Sequence, residues 1–148
     1  MAQTLTRLLV HVVFSTKDRR CLIVPAVESH LYAYLGGICR NKESPALAIG
    51  GTEDHVHLLI SLSKNIALSD FLMELKRDSS KWIKTQGDVF ANFTWQDGYG
   101  AFSIGESQRG AVTDYIQSQK ERHKTMTFED EIIALAERYG VDYDPRYL

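Results

Sequence analysis

The sequence predicts an α+β fold of the ferredoxin-like type: a βαββαβ sandwich with an antiparallel sheet, followed by two additional C-terminal helices. Three observations lead to this class. Apolar runs of strand length alternate with segments whose apolar residues recur at helical spacing. Two of the runs adjoin one turn-like segment, which favours an antiparallel pair. Two further helical patterns come after the last predicted strand.

The N-terminal part of the chain predicts one strand and one helix. Residues 4–15 are rich in Leu, Val and Phe and predict a strand, which a basic turn follows at residues 17–20. After Pro25, apolar residues at helical spacing predict a helix that ends at about Arg40. We therefore expect the first strand to lead through a charged turn into the first helix.

The middle of the chain predicts a hairpin and a second helix. Residues 46–51 and 55–62 are short apolar runs around a turn-like segment at 51–54, which favours two antiparallel strands. A second helix is expected after Asn65, because the apolar residues there form one face. Four basic residues lie largely elsewhere on this helix and form a local positive cluster: Lys76, Arg77, Lys81 and Lys84.

The C-terminal part predicts an interrupted strand and two helices. Residues 93–104 are aromatic and β-favouring but contain an Asp-Gly-Tyr-Gly segment, which predicts a strand broken by a bend or bulge. Ser107 is the expected N-cap of a helix over 108–123. Another helix is expected over 128–139 with Gly140 as its stop, and the tail after it is expected to be irregular.

Length and composition predict one domain over residues 1–148, since 44% hydrophobic and 24% charged residues suffice for a core. No stretch approaches the roughly 18 to 20 apolar residues of a membrane span, and the first residues do not resemble a cleavable signal. We therefore expect a cytoplasmic protein with no membrane partner.

Cys21 and Cys39 lack ligand-like spacing and are interpreted as reduced thiols. With a formal net charge of −2, any DNA binding requires clustered cations.

His55 and His57 are candidate metal ligands. They flank one residue of a predicted strand, and because side chains alternate along a strand, both imidazoles point to one face and can share an ion. The apolar residues around them predict a buried strand, which holds ligands rigidly. Imidazole suits Mn, Zn, Ni or Co, whereas phosphate oxygens with an amide or carboxylate ligand also allow Mg or Mn. An isolated pair is equally consistent with hydrogen-bonded histidines that bind no metal.

Tyr115 and Gln119 are four residues apart on a predicted helix, so a nucleophile and an oxygen ligand would share one face. A phenol has a pKa of about 10, so its attack on phosphorus needs a metal that withdraws charge from the phosphate. The same spacing fits a packing tyrosine, because Val112, Tyr115 and Ile116 follow core periodicity. Tyr99, between two glycines, is an alternative nucleophile on a loop.

Other conspicuous side chains are assigned structural roles. His11 is expected in or beside the core, and His30 and His123 are expected to be exposed on helices, so none of the three is assigned to metal. Trp82 and Trp95 are interpreted as packing residues rather than stacking platforms for bases.

Motifs in a fixed order carry a resemblance to a known family. They are HVVFSTK at residues 11–17, DHVHLL at 54–59, WQDGYGAFS at 95–103 and YIQSQ at 115–119, followed by Lys124, Thr127, Phe128 and Glu129. The chain resembles single-tyrosine HUH transposases of the insertion sequence 200/605 type, including relatives that act on repetitive extragenic palindromes. The resemblance extends over almost the whole length.

The resemblance implies a catalytic domain in which His55, His57 and Gln119 bind a divalent metal, Mg or Mn, and Tyr115 is the nucleophile. It implies metal-dependent nicking and rejoining of single-stranded DNA at hairpin-bearing element ends, through a 5′-phosphotyrosine and a free 3′-hydroxyl. It also implies a homodimer whose tyrosine helix can complete the site of the other subunit. Basic residues expected to contact the backbone of an imperfect hairpin are Lys17, Arg19, Arg20, Lys76, Arg77, Lys81 and Lys84.

Two other functions stay open. A catalytically inactive or domesticated relative would keep hairpin binding alone, although every residue that the chemistry needs is present. A ferredoxin-like protein could instead use the two histidines for a small-molecule or structural metal site, which the slightly acidic charge balance favours.

Overall fold

The computed structural model describes residues 2–147, so Met1 and Leu148 of the expected domain lie outside the described residues. One sheet contains the strands β1 (Leu9–Ser15), β2 (Ala46–Gly51), β3 (His55–Ser61) and β4 (Gly100–Ile104). The strand order is β2-β3-β1-β4, and each neighbouring pair is antiparallel. The order along the chain and in the sheet confirms the predicted ferredoxin-like α+β class.

The helices follow the predicted order. They are α1 (Pro25–Asn41), α2 (Leu68–Ile83), α3 (Arg109–Gln117), α4 (Gln119–Arg122) and α5 (Phe128–Arg138). Short 3-10 turns lie at Lys17–Arg19, Lys84–Gln86, Asp88–Phe90, Glu106–Gln108 and Pro145–Tyr147. No helix within residues 2–147 is long and apolar enough to cross a membrane.

Two predicted strands are longer by several residues than the observed ones, and the strand predicted over 55–62 ends one residue earlier, at Ser61. The first strand begins at Leu9: residues 4–8 are exposed and outside the strand, and of their backbone the Leu8 carbonyl accepts from the Leu62 N–H at 2.8 Å, just after β3. Of the predicted strand 93–104, only β4 is regular, and Trp95 makes a single bridge to Thr16. The ring of Trp95 is buried, and its Nε1 donates to Ser79 Oγ at 3.0 Å. The aromatic residues before β4 therefore belong to a loop that packs into the core, and not to a continuous strand.

The predicted helix 108–123 is divided in two. Ser118 has φ −98° and ψ 15°, which ends α3 before α4 begins. Its hydroxyl donates to the carbonyl oxygen of Tyr115 at 3.1 Å, a local side-chain bond that competes with helix continuation. Ser107 is not the N-cap, because it lies inside a 3-10 turn in which Gln108 Oε1 accepts from the Gly105 N–H at 3.0 Å.

The last helix follows its sequence signals closely. Thr127 is the N-cap of α5, and its hydroxyl accepts from the Asp130 N–H at 3.1 Å. Gly140 has φ +67°, the left-handed conformation that glycine adopts most readily after a helix. The predicted start at residue 128 and the glycine stop are therefore confirmed, and α5 ends one residue earlier than expected.

Alternation along β3 divides the molecule into two cores. Val56, Leu58 and Ile60 face the core formed with α1 and α2. Leu59 lies on the opposite face, where it packs with Ile116 of α3. Leu135 of α5 packs on that same face of the sheet, against Val13 and Phe102. The C-terminal helices therefore add a third layer, over the face that bears both strand histidines.

Candidate metal centre and tyrosine site

Strand β3 holds His55 and His57 on the face covered by the C-terminal helices. Both side chains are fully buried, and their ring centroids lie 5.1 Å apart. The strand pairs with β2 on one side and β1 on the other, so its backbone has little freedom to move. The predicted placement of both imidazoles on one buried face therefore agrees with the structure.

His55 is oriented by its neighbours in the turn before β3. Its Nδ1 donates to Asp54 Oδ1 at 2.7 Å, and Thr52 Oγ1 donates to the same carboxylate oxygen at 2.8 Å. This bond directs the other nitrogen, Nε2, into the cluster. Burial alone would lower the pKa of His55, but hydrogen bonds to Asp54, Glu131 and Gln119 raise that pKa to about 9.

His57 is supported from β1. Its Nδ1 lies 2.8 Å from His11 Nε2, and the two rings share this hydrogen bond within the core. Burial lowers the pKa of His57, and burial together with the nearby His57 lowers the pKa of His11 to about 3. His11 is therefore neutral, and it is a core histidine as predicted, with the added role of fixing the ring of His57.

Tyr115 lies against these rings from α3. Its ring centroid is 5.7 Å from that of His57 and 5.8 Å from that of His11, and the Arg122 guanidinium lies over the ring, 4.5 Å from its centroid. Burial and the hydrogen bond to Glu131 raise the pKa of Tyr115. The residue thus packs at the edge of the core, as its spacing indicates, while its hydroxyl reaches the histidine cluster.

Gln119, the first residue of α4, completes the set that the sequence singled out. It is buried, and its Oε1 lies 2.9 Å from His55 Nε2. Its Nε2 donates to Glu131 Oε2 at 2.8 Å. The structure therefore brings His55, His57, Gln119 and Tyr115 together from three elements of one chain. Their chemical roles stay predictions.

Glu131 of α5 lies at the centre of the cluster and was missed by the sequence interpretation. Its side chain is 1% exposed, its Oε1 lies 3.0 Å from His57 Nε2, and its Oε2 accepts from the Tyr115 hydroxyl. Burial alone would raise the pKa of this carboxyl, but hydrogen bonds from His55 and His57 hold that pKa far below its usual range. One signal in the sequence could have indicated Glu131. It is a carboxylate on the apolar face of the helix, which Phe128, Ile132 and Leu135 define.

The donor atoms in this cluster fit a divalent metal. Nε2 or Nδ1 atoms of His55 and His57 and a carboxylate oxygen of Glu131 lie within 4.8 Å of one another, and the Gln119 amide oxygen adjoins them. Imidazole, carboxylate and amide donors together suit Mn and related first-row ions, and the oxygens also allow Mg.

His123 was predicted to be exposed, and this prediction is wrong. Its side chain is 10% exposed, its Nε2 lies 3.0 Å from Glu131 Oε1, and its ring centroid is 4.5 Å from that of His55. The residue follows the short α4, which turns it toward the cluster. Helical spacing from Gln108 could not indicate this, because the helix breaks at Ser118.

Tyr99, the alternative nucleophile, lies apart from the cluster. It is 42% exposed on the loop before β4, where it lines a cavity with Phe102 and Tyr143. The two tryptophans pack as predicted: Trp95 contacts Phe14 and Phe93, and Trp82 stacks on Tyr34 at 4.8 Å.

The predicted DNA-binding residues divide into two groups. Lys17, Arg19 and Arg20 are exposed on the turn after β1, beside Asp54, whose carbonyl accepts from the Thr16 N–H at 2.8 Å. Arg19 lines a cleft near the cluster, and Asp54, Lys120, His123 and Lys124 line it too.

The other four basic residues belong to α2 and its end, across the sheet from the histidines. Lys76 donates to the carbonyl oxygens of Gln96 and Gly98, both at 2.7 Å, so it braces the loop before β4. Arg77 pairs with Asp78 at 3.0 Å, and Lys81 lies on the exposed side of the helix, with Lys84 at its end. The DNA contacts of both groups stay predictions.

The fold and the buried cluster together define an α+β protein with a candidate metal centre beside a tyrosine. The sequence model of a family described as "Transposase IS200 like" matches residues 4–119. The chain therefore belongs to the IS200-like transposase family, as its motifs predicted. The match ends before α5, so Glu131 lies beyond it.

Curated relatives agree with this assignment. The chain is 25% identical over 117 residues to the ISDra2 transposase TnpA of Deinococcus radiodurans, covering 76% of this chain and 84% of that protein. It is 28% identical over 119 residues to the transposase for insertion sequence element IS200 of Salmonella typhimurium, covering 77% and 78%.

Solved structures share the fold. A crystal structure of a transposase-like protein from Deinococcus radiodurans superposes with a TM-score of 0.63 at 22% identity, covering 80% of this chain and 95% of that one. The REP-associated tyrosine transposase bound to a REP hairpin superposes with a TM-score of 0.61 at 16% identity, covering 83% and 74%.

Proposed function

We propose that this transposase nicks and rejoins single-stranded DNA at hairpin-bearing element ends, with Tyr115 as the nucleophile. The observation that carries the proposal is the convergence of the Tyr115 hydroxyl, the Gln119 amide and both strand histidines on one buried cluster. In the forward step a bond forms between phosphorus and the tyrosine oxygen while the bond from phosphorus to the 3′-oxygen breaks. This leaves a 5′-phosphotyrosine and a free 3′-hydroxyl, and attack by another 3′-hydroxyl reverses the step on a new strand.

His55, His57 and Gln119 would hold a divalent metal, Mg or Mn. When bound, the ion withdraws charge from a phosphate and so makes phosphorus a better target for a phenol. The protein residues orient the reactants: Asp54 fixes the ring of His55, His11 fixes the ring of His57, and α3 presents Tyr115 to the same face. Burial excludes water from the cluster, which strengthens each of these interactions.

The proposed substrate is single-stranded DNA that folds into an imperfect hairpin. The REP-associated transposase, which has a similar fold, is bound to a REP hairpin in its solved structure. We propose that Lys17, Arg19 and Arg20 contact the backbone near the cleft, and that the α2 group contacts a more distant part of the hairpin.

We further propose that residues 1–148 form one catalytic domain that acts as a homodimer in the cytoplasm. The described chain assembles the cluster from its own α3, α4 and α5, so each subunit of such a dimer can use its own tyrosine. Light scattering should give about twice the 16.8 kDa mass of one chain. A mass of one chain at all concentrations tested would contradict the dimer.

The experiment for the main proposal is the detection of a covalent adduct. Purified protein is incubated with MnCl2 and labelled hairpin-bearing single strands, and the products are separated by denaturing electrophoresis. We expect a labelled protein band with the natural chain and none with Tyr115→Phe, while Tyr99→Phe serves as the matched control and keeps the band. Hairpin binding without a band in the natural chain would favour the inactive binding relative.

A further inference from the structure

The packing of α5 against the strand histidines indicates a role for this helix in the site. The helix lies outside the residues that the family model matches. Glu131 is buried among the other members of the cluster, although the match ends at residue 119 and α5 begins only at Phe128. We propose that Glu131 is a protein ligand of the divalent metal and that the same carboxylate positions the Tyr115 hydroxyl beside the ion. This inference rests on the proposed function of the His55 and His57 pair as a metal site.

The distances around Glu131 Oε1 match those between ligands of one ion. This oxygen lies 3.0 Å from His57 Nε2 and 3.4 Å from His55 Nε2. Two donor atoms about 2.1 Å from one ion are about 3.0 Å apart at a right angle and about 3.4 Å apart at the tetrahedral angle. The carboxylate therefore needs little rearrangement to share an ion with both imidazoles.

The burial and charge of Glu131 also require cationic partners. Its carboxylate is 1% exposed, and a buried carboxylate is costly unless charge or strong hydrogen bonds compensate it. His123 contributes a further ring nitrogen at 3.0 Å from Oε1. A divalent ion bound to two neutral imidazoles supplies positive charge at the same position that these rings now surround.

The second oxygen of Glu131 links the ion to the nucleophile. Oε2 accepts from the Tyr115 hydroxyl and, at 2.8 Å, from Gln119 Nε2. A carboxylate with one oxygen on the ion and the other on the phenol holds the phenol close to the ion. Glu131 is thus both a ligand and a positioning residue, and α5 becomes part of the active site.

A rival role for Glu131 predicts the opposite effect on metal affinity. If the carboxylate is only a counter-ion for the histidine rings, an incoming metal has to displace it, and its removal should strengthen metal binding. If it is a ligand, its removal should weaken metal binding. The sign of the change therefore separates the two roles.

The test is calorimetric titration of MnCl2 into the full chain without DNA. We expect Glu131→Gln to weaken Mn binding at least about tenfold, since even outer partners of metal ligands contribute about 10- to 100-fold. The matched control is Glu137→Gln, an exposed carboxylate on the same helix, which should bind Mn as the natural chain does. His57→Ala reports on the metal site itself and should also lose affinity.

Unchanged or tighter Mn binding by Glu131→Gln would overturn the inference. If His57→Ala still loses affinity in that case, the proposed metal site stands and only the role of Glu131 fails. If His57→Ala also binds Mn normally, the metal site of the proposed function fails as well.

Should Glu131→Gln not fold, Glu131→Asp distinguishes the ligand role from the counter-ion role, because it keeps the charge but shortens the side chain. A ligand role then predicts weaker Mn binding, and a counter-ion role predicts no weakening.

Discussion

At the scale of residues, local geometry predicts the members of the cluster that are close in sequence. Strand alternation is enough to place His55 and His57 on one face, and a four-residue spacing is enough to place Gln119 near Tyr115. Glu131 could not be predicted in this way, because 74 residues separate it from His57 and their contact depends on how α5 docks. The same holds for His123, which reaches His55 only through the turn after α4. A carboxylate on an apolar helix face was the one local sign of Glu131.

Replacement of Gln119 tests its role beside His55. We expect Gln119→Ala to slow formation of the covalent adduct roughly 10- to 100-fold, because the variant removes the proposed oxygen ligand and leaves Glu131 without one of its donors. The measurement is the rate of adduct formation with hairpin DNA and MnCl2. Gln117→Ala, an exposed glutamine on the preceding turn, is the control and should react at the natural rate. Equal rates for both variants would show that Gln119 is not needed.

At the scale of elements, periodicity predicts the regular helices and strands but not their interruptions. The hairpin of β2 and β3 and the helices α1, α2 and α5 follow from apolar spacing, Pro25, Thr127 and Gly140. The break at Ser118 depends on a side-chain bond to the Tyr115 carbonyl, and the loop before β4 is fixed by Lys76 and by the buried Trp95. The Ser118 bond is local but competes with helix continuation, and the Lys76 and Trp95 contacts join separate segments, so apolar periodicity alone gives the wrong element at both places.

The approach of α3 to β2 should be sensitive to a single methyl group. A Cβ on Gly50 would lie 2.2 Å from the carbonyl oxygen of Ile116, so Gly50→Ala must push α3, and Tyr115 with it, away from the sheet. We expect the free energy of unfolding to fall by roughly 1–3 kcal/mol, as is usual for overpacking. Urea denaturation measures this change, and adduct formation should fall in parallel.

The control for this variant is the same substitution in open space. A Cβ on Gly110 of α3 meets nothing within 4 Å, so Gly110→Ala should raise the stability by up to about 1 kcal/mol through helix propensity. If Gly50→Ala were as stable as Gly110→Ala, the close approach of α3 to β2 would be refuted.

At the scale of the whole molecule, the arrangement in three layers determines which basic residues lie on the same surface. The net charge of −2 gives no sign of a nucleic-acid surface, and the seven predicted DNA-binding residues lie partly on the turn after β1 and partly on α2 across the sheet. The sequence predicts the clusters along the chain, but it cannot indicate which layer each helix joins. That arrangement follows from the burial of Ile116 and Leu135 on the histidine face.

The turn after β1 should contribute to DNA affinity by neutralising phosphates. Affinity for DNA falls as the salt concentration rises. For a single strand, we expect this dependence, the slope of log affinity against log salt concentration, to become shallower by about 0.7 for each phosphate that a removed cation had neutralised. Lys17→Ala combined with Arg20→Ala should therefore reduce the slope by about 1.4. Gel-shift titrations with hairpin DNA at several salt concentrations measure this slope. Lys64→Ala, beyond the far end of β3, should leave it unchanged. An unchanged slope in the double variant would remove this turn from the interface.

We propose that Tyr115 attacks DNA at a metal site built from His55 and His57. The most direct measurement is mass spectrometry of the peptide that carries the nucleotide, after the natural chain has reacted with hairpin-bearing single strands in MnCl2. We expect one modified peptide, with a 5′-phosphate linked to Tyr115, and the disappearance of that peptide when His57 is replaced by Ala. A nucleotide on Tyr99 or another residue, or an adduct that persists in His57→Ala, would contradict it.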